Sequence, residues 1–231
     1  MPPPGRLETD ASSIAGPIAG PIAGPVVGLI LAAGESSRLA LLGIHKALLE
    51  YRGHTFLENI AATLREAAVP RIVVVVGHRA EEIQGQLAGR VGRIGGMEWV
   101  VNRDYRRGQT SSLQAGLRAL TTGDAKAAVE GVVLCLVDHP AVAPATVRAV
   151  IRAFQQSGAP VVVPTYQNQR GHPVLISRSL FAALASLQPD AGANTVIRQY
   201  RDATQLVEVN DAGILVDVDD PQSYARLCAA R

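Results

Sequence analysis

A loop of small and polar residues follows the first apolar run of the sequence. Leu31-Ala32-Ala33-Gly34 leads into Glu35-Ser36-Ser37-Arg38. Small residues let backbone N–H groups approach an anion closely, and hydroxyl and guanidinium groups add donors, so the loop suits a phosphate. The alternative interpretation of these residues is an ordinary turn whose charged side chains are solvated. The loop is neither a Walker A motif nor a Gly-x-Gly-x-x-Gly dinucleotide motif.

Two further charged residues stand at positions where they could meet such a phosphate. Lys46 lies eight residues after Arg38 and supplies a compact cation. Asp138 follows the apolar run 131–137, and a carboxylate at the end of a buried strand commonly holds Mg²⁺ near a triphosphate. The alternative is that Asp138 caps the turn that follows. No role is assigned to His139.

A second group of carboxylates lies near the C-terminus. Asp217 and Asp219 alternate at the end of residues 213–218, which we predict to be a strand, so their side chains should share one side. Either carboxylate could complete a magnesium site with Asp138. Asp219 or Asp220 could instead cap the helix that we expect to begin at Pro221.

The elements that position these residues alternate between two patterns. Short β-branched runs predict strands at residues 26–31, 72–76, 99–101, 131–137, 160–163, 173–176, 206–209 and 213–218. Apolar residues at helical spacing predict helices at residues 55–68, 81–87, 111–120, from 144 onward, 179–186, 193–201 and 221–228. The alternation predicts an α/β fold of three layers, Rossmann-like, with a mostly parallel central sheet and ligands at the carboxyl ends of its strands.

Composition excludes several classes of function. The 231 residues carry a net charge of +2 without a basic block, which argues against a nucleic-acid-binding face. No apolar run is long enough to cross a bilayer. The two cysteines, Cys135 and Cys228, lie far apart, so a structural disulfide is not expected and a cytoplasmic location is favoured.

The N-terminal residues differ in composition from the rest. Residues 16–25 repeat Gly-Pro-Ile-Ala, and proline at every fourth position prevents the apolar helix of a signal peptide. We therefore interpret residues 1–24 as a flexible Gly/Pro-rich tail rather than a targeting sequence, and we expect residues 25–231 to form a single domain.

Six motifs in order support a family resemblance. They are Leu31 to Arg38; the segment with Asn102, Tyr105, Gly108, Ser111-Ser112-Leu113 and Gly116; Asp138-His139-Pro140; Gly171-His172-Pro173; Asp190 with Gly192-Ala193; and Val216 to Pro221. From about Val27 to Leu227 the chain resembles the molybdenum-cofactor nucleotidyltransferases of the glycosyltransferase-A-like group, particularly the cytidylyltransferase branch.

The resemblance implies a role for each motif. Leu31 to Gly34 would contact the base and ribose of a nucleoside triphosphate, CTP being favoured by Ala32-Ala33-Gly34, and Glu35 to Arg38 with Lys46 would hold the triphosphate. The rest of the nucleotide pocket would comprise Gly77, His78, Asn102, Gly108, Ser111 and Ser112. Asp138 with Asp217 or Asp219 would hold Mg²⁺. The phosphorylated acceptor would be bordered by Gly171, His172, Pro173, Asp190, Gly192 and Asn194.

The implied reaction transfers CMP from CTP to an acceptor such as molybdopterin cofactor and releases pyrophosphate, with Arg38, Lys46 and Asp138 as catalytic residues. A molybdoenzyme or its chaperone would be the protein partner. Three extra residues before Lys46, with His45 in place of the usual proline and His139 in place of a glutamine, depart from the family pattern. Alternatives are a methylerythritol-phosphate cytidylyltransferase, a sugar-phosphate nucleotidyltransferase, and a non-catalytic nucleotide-binding protein that delivers a cofactor.

Overall fold

A computed structural model describes residues 24–88, 96–122, 129–188 and 191–229. The expected tail, residues 1–24, therefore lies outside the described residues except for Gly24, and so does Asp190. Within the described ranges, no helix is long and apolar enough to cross a membrane.

The strands of four or more residues follow the β-branched runs of the sequence, and three two-residue strands that were not predicted add to them. They are β1 (Val26–Ala32), β2 (Glu50–Tyr51), β3 (His54–Thr55), β4 (Ile72–Val76), β5 (Met97–Val101), β6 (Gly131–Leu136), β7 (Val161–Tyr166), β8 (Gln169–Arg170), β9 (Val174–Ser177) and β10 (Thr204–Glu208). Strands β1, β4 and the first five residues of β6 are buried along their length, which explains why their sequences are apolar on both faces.

The helices agree closely with the helical periodicity. They are α1 (Phe56–Glu66), α2 (Ala80–Ala88), α3 (Gln109–Thr121), α4 (Pro144–Ser157), α5 (Phe181–Ala185), α6 (Asn194–Gln199) and α7 (Pro221–Ala229). Thr55 and Glu58 form the expected capping box at the start of α1, and Pro144 opens α4 at its first turn.

One main sheet carries the fold, with strand order β10-β7-β9-β6-β1-β4-β5 and β8 paired to β7. All pairs along this order are parallel except those made by β9, which runs antiparallel to β6 and β7. The prediction of a mostly parallel sheet is therefore confirmed. Strand β9 returns the chain between two parallel strands, an arrangement that the sequence did not indicate.

Helices cover both faces of the sheet and give the predicted three layers. On one face, α1, α2 and α4 pack side chains such as Leu64, Ile83 and Phe154 into one apolar cluster. On the other face, α3, α5 and α6 contribute side chains such as Leu117 and Leu184 to a second cluster. The carboxyl ends of β1 and β6 are neighbours because these strands pair in parallel from Val26 to Leu31, so the loops after them meet at one edge.

Residues 213–218 are not a strand, and this prediction is wrong. The chain forms a 3-10 helix at Ala212–Leu215 and then runs without regular structure to Pro221. The Asp211 side chain accepts hydrogen bonds from the backbone N–H groups of Gly213 and Ala143, which favours a turn there. Ile214 and Val218 are fully buried, so packing of an irregular segment produces the alternating apolar pattern.

Candidate active site

A cavity of about 570 Å³ opens at the carboxyl ends of β1 and β6, where the fold predicts a ligand. Most of the predicted nucleotide and catalytic residues line it: Leu31, Ala33, Gly34, Glu35, Ser36, Ser37, Arg38, Lys46, Gly108, Ser112, Asp138 and Asp219. The structure therefore brings together the first loop, Lys46 and the carboxylates from the two later motifs.

The first loop leaves β1 after Ala32 and turns at Ser36, which has a positive φ of 53°. Apart from the two chain neighbours of Gly34, no described residue has an atom within 4 Å of the place where a Cβ at Gly34 would stand. Packing within the described residues therefore does not require a glycine at position 34. It leaves room for a ligand to approach the backbone of the loop.

His45 holds this loop in position. One ring nitrogen, Nε2, lies 2.9 Å from the carbonyl oxygen of Gly34, and the other, Nδ1, accepts a hydrogen bond from the N–H of Ala47. This pattern requires a neutral ring that donates through Nε2. Burial lowers the pKa of His45, so the neutral form is stable. The residue that replaces the usual proline thus connects the loop to the segment carrying Lys46.

Lys46 is the buried cation of the cavity, with 9% of its side chain exposed. Its Nζ donates to Oδ1 of Asp219 at 2.7 Å and lies 3.6 Å from Oδ2 of Asp138. Arg38 donates from Nη1 to the other oxygen of Asp219 at 2.8 Å. The Asp219 carboxylate therefore bridges the two cations predicted to hold a triphosphate.

Asp138 directly follows β6, and its carboxylate meets Lys46 on one side and His139 on the other. Oδ1 of Asp138 lies 2.8 Å from Nδ1 of His139. Burial opposes ionisation of Asp138, but the hydrogen bond and charge of His139 and the charge of Lys46 outweigh it and lower the pKa of Asp138. This carboxylate is ionised at neutral pH.

Three side chains at this point have the composition of a metal site. One ligand atom each from Asp138, His139 and Asp217 lies within 4.8 Å of the others. Burial and the negative charges of Asp138 and Asp219 raise the pKa of Asp217. Because a divalent cation would relieve this repulsion, the residues present fit one. Asp217 faces this group while Asp219 faces Lys46, although the two were predicted to share a side of a strand.

The expected acceptor residues divide between two places. Gly171 and His172 pack against the carbonyl of Ile214, and the ring of His172 lies 4.7 Å from the ring of His139. Burial, followed by the charge of His139, lowers the pKa of His172 to about 4. Nδ1 of His172 is buried and has no hydrogen-bond partner among the described residues. Pro173, the third expected residue of this motif, follows His172 in the chain.

Gly192 and Asn194 line a separate cavity of about 290 Å³. It shares Gly108 and Gln109 with the first cavity, so the two are neighbours.

The model of a family described as "MobA-like NTP transferase domain" matches residues 28–204, more than half of the chain. The chain belongs to this family. The resemblance inferred from the six motifs is thereby confirmed.

Several relatives span nearly the whole MobA-like chain. Nicotine blue oxidoreductase of Paenarthrobacter nicotinovorans is 32% identical over 210 residues, covering 86% of this chain and 94% of that protein. The structure of Rv0371c from Mycobacterium tuberculosis H37Rv superposes with a TM-score of 0.75 and 31% identity, covering 90% of this chain and all of that one. Rv0371c has also been solved with manganese, and that structure matches with a TM-score of 0.71 and 29% identity over the same shares of the two chains.

A nucleotidyl transferase from Methanothermobacter thermautotroptrophicus superposes with a TM-score of 0.71 and 26% identity, covering 89% of this chain and 96% of that one. These relatives confirm the predicted fold class for the MobA-like chain.

Some predicted pocket residues lie behind the cavity of this MobA-like domain. Asn102 is buried and donates to the hydroxyls of Ser111 and Ser112, of which Ser112 lines the cavity. His78 donates its backbone N–H to the carbonyl of Ala33, and Gly77 packs against the same carbonyl. These residues support the loop and α3. Ala32, the last residue of β1, is buried as well.

Six residues of the cavity lining were not among the predicted site residues: His45, Tyr105, Arg106, Gln109, Leu136 and Val137. Arg106 forms an ion pair with Glu35 at 3.2 Å across the first loop. Tyr105 was quoted in a motif and His45 as a departure from the family pattern, so both were visible in the sequence. Their positions depend on folding contacts between distant segments, which a single sequence does not show.

Proposed function

We propose that the protein is a nucleotidyltransferase that moves a nucleoside monophosphate to a phosphate-bearing acceptor and releases pyrophosphate. The observation that carries this proposal is the meeting of Lys46 and Asp138 in a cavity bordered by the first loop. A cation and an ionised carboxylate at the edge of a parallel sheet are what a metal-bound triphosphate requires.

In the proposed reaction, an oxygen of the acceptor phosphate forms a bond to the α-phosphorus while the bond to the bridging oxygen of pyrophosphate breaks. Lys46 and Arg38 hold the leaving phosphates and neutralise their charge. Both now bind Asp219, so the triphosphate would replace that carboxylate. The acceptor phosphate is already ionised, so no general base is needed. Alignment and charge neutralisation supply the catalysis.

Asp138 and Asp217, with His139 beside them, would hold the divalent cation. When bound, the cation would neutralise charge on the phosphates. We propose Mg²⁺, which carboxylates bind well, although His139 adds an imidazole nitrogen that suits manganese also. The manganese structure of Rv0371c supports a divalent ion in this family.

We further propose CTP as donor, because Ala33 and Gly34 line the cavity and belong to the Ala-Ala-Gly form of the loop. Gly171 to Pro173, Gly192 and Asn194 would border the acceptor, which we propose to be a cofactor such as molybdopterin. A cytoplasmic location and a molybdoenzyme or its chaperone as partner complete the proposal. Both cysteines are free, which supports a reducing compartment.

A substrate panel tests this proposal. Each of the four nucleoside triphosphates would be incubated with Mg²⁺ and a pterin, isoprenoid or sugar phosphate, and pyrophosphate release would be measured. The proposal predicts release that depends on both acceptor and metal and is fastest with CTP and a pterin phosphate. Nucleotide binding without release for any pair would contradict it and favour the binding-protein alternative.

One observation favours a second candidate, a redox reaction. The relative from Paenarthrobacter nicotinovorans is named an oxidoreductase, and the alignment covers 94% of it. In that case the first loop would bind the phosphates of a nucleotide redox cofactor, and no pyrophosphate would form. Oxidation of NADH or NADPH in the presence of nicotine blue, followed by absorbance, separates the two candidates.

A further inference from the structure

A third cavity, lined in part by arginines, lies away from the candidate active site. It has a volume of about 490 Å³ and is lined by Val163, Arg170, Ile197, Arg198, Arg201 and Thr204. We call it the arginine cavity. Val163 and Ile197 are the apolar residues of its lining, and the three arginines that line it are exposed.

The three arginines come from three different elements. Arg170 ends β8, Arg198 lies in the last turn of α6, and Arg201 begins the 3-10 helix Arg201–Ala203. Within the described ranges none of them forms an ion pair, whereas Arg38, Arg71, Arg79 and Arg106 each do. Glu208 is opposite Thr165 in the sheet, as Arg170 is, but its carboxylate accepts from the Thr165 hydroxyl and the Gln167 N–H.

Three positive charges on the lining of one cavity, none in an ion pair within the described residues, repel one another, and a bound anion would relieve that repulsion. Arginine presents several N–H donors in a planar fork that matches phosphate and carboxylate oxygens. The arginine cavity therefore has the chemistry of an anion site. The apolar side chains of Val163 and Ile197 suit the carbon skeleton to which such an anion is attached.

The arginine cavity is on the same side of the sheet as the candidate active site. Val163 of β7 and Leu31 of β1 belong to the same apolar cluster, and Leu136 of β6 packs against it. Strands β6 and β7 are separated only by β9, so they lie about 10 Å apart at the usual strand spacing. The strands beneath the arginine cavity are therefore close to those that carry the candidate active site.

The two segments expected to border the acceptor also supply two of the three arginines, Arg170 and Arg198. Arg170 directly precedes Gly171 and His172, whose ring contacts that of His139 beside Asp138. Arg198 lies on α6, which begins at Asn194. A single acceptor held by these segments would have its reacting phosphate near Asp138 and its far end near the arginines.

We propose that the arginine cavity binds a second anionic group of the acceptor, a phosphate or a carboxylate, so that the acceptor carries at least two anionic groups. This inference rests on the proposed nucleotidyltransferase function. The same chemistry would also suit a free anion that acts as an effector, and the experiment must separate these two sources.

The first arm measures anion binding alone. Pyrophosphate would be titrated calorimetrically into protein carrying Lys46→Gln, which weakens the candidate active site, with and without Arg170→Gln, Arg198→Gln and Arg201→Gln together. We expect the three changes to weaken pyrophosphate binding at least tenfold, because each removes a charged hydrogen-bond donor. Binding within twofold of the Lys46→Gln parent would overturn the proposal.

Arg152→Gln is the matched control. Arg152 is exposed on α4, which packs against the opposite side of the sheet, and it forms no ion pair within the described ranges. Its replacement should leave pyrophosphate affinity unchanged. An equal loss for Arg152→Gln would show a general charge effect and overturn the proposal. Single arginine variants, checked by circular dichroism, keep the test decisive if the triple variant folds poorly.

The second arm separates an acceptor site from an effector site by using the three substitutions without Lys46→Gln. We expect the acceptor KM to rise at least tenfold for acceptors with two anionic groups, and to stay unchanged for acceptors with one and for the nucleotide. Unchanged KM values with a wild-type kcat that changes on adding inorganic sulfate, which is neither substrate nor product, would assign the cavity to an effector and overturn the acceptor role. If wild-type protein releases no pyrophosphate with any acceptor, the proposed function fails, while the first arm still decides whether the anion site exists.

Discussion

Charge compensation connects the individual residues of the candidate active site. Asp219 bridges Lys46 and Arg38, while Asp217 lies with Asp138 and His139. The sequence predicted all of these residues except His139, but it left open which C-terminal carboxylate binds metal. We propose that Asp217 holds the cation and that the triphosphate would replace the carboxylate of Asp219, which now binds Lys46 and Arg38.

Replacing the two carboxylates in turn tests this division. Asp217→Asn should weaken divalent-cation binding about tenfold, because it removes one charged ligand, whereas Asp219→Asn should change cation affinity little. Asp219→Asn should instead strengthen metal-free triphosphate binding, because Lys46 and Arg38 lose their internal partner. Calorimetric titration of each variant with Mg²⁺ and with CTP measures both effects, and the reverse pattern would assign Asp219 to the metal.

The imidazole of His139 should influence which metal binds. His139→Gln removes a nitrogen ligand that transition metals prefer, so Mn²⁺ affinity should fall by about tenfold or more while Mg²⁺ affinity falls much less. Electron paramagnetic resonance of free Mn²⁺, with Mg²⁺ as competitor, measures the ratio. An unchanged ratio would show that His139 only orients Asp138.

At the scale of elements, close packing holds the first loop against its neighbours. A Cβ at Gly77 would stand 2.6 Å from Cβ of Tyr105 and 2.9 Å from the carbonyl oxygen of Ala33. At exposed Gly85 in α2, no described residue beyond the adjoining turns of the helix has an atom within 4 Å of the corresponding position. The two glycines therefore form a matched pair for substitution.

Gly77→Ala should destabilise the protein by about 1–3 kcal/mol, because backbone and loop must shift to admit the methyl group. It should also weaken nucleotide binding by displacing Ala33. Gly85→Ala should stabilise the protein by about 0.5–1 kcal/mol, because alanine favours the helix. Urea denaturation and CTP titration measure the changes. Equal effects at the two positions would contradict the packing described.

Local signals in the sequence were sufficient for most elements. The capping residues Thr55 and Glu58 predicted the start of α1 correctly. The apolar run from Ile72 to Val76 predicted both ends of β4 correctly. The strand expected at residues 213–218 was wrong because the Asp211 side chain accepts hydrogen bonds from Gly213 and the distant Ala143, and because Ile214 is buried in the tertiary structure. The contacts with distant residues leave no local pattern.

At the scale of the molecule, the sequence predicted layers and sheet type but not strand order. Strand β9 inserts antiparallel between β6 and β7, and this position depends on pairing between residues far apart in the chain. The same non-local pairing places Arg170 at the arginine cavity and brings the ring of His172 to that of His139 beside Asp138. Individual strands are visible in the sequence, but the sites that they form together are not.

Burial of the central strand has consequences for the two thiols. Burial raises the pKa of Cys135 in β6 to about 12, whereas Cys228 is exposed. A thiol reagent should modify one cysteine per folded chain and two in denaturant.

Between pH 9 and 12 the unfolded chain loses the Cys135 proton and the folded chain keeps it, so stability should fall as pH rises. Cys135→Ala should show a shallower fall in urea denaturation, and an identical slope would contradict the assigned burial.

The central claim is that Asp138 supports metal-dependent transfer of a nucleotide. The most direct measurement is pyrophosphate release from CTP, with Mg²⁺ and a phosphorylated acceptor, by the wild-type protein, by Asp138→Ala and by Glu81→Ala, which removes an exposed carboxylate on α2. We expect release by the wild type and Glu81→Ala, and none by folded Asp138→Ala. Undiminished turnover in Asp138→Ala would contradict the account.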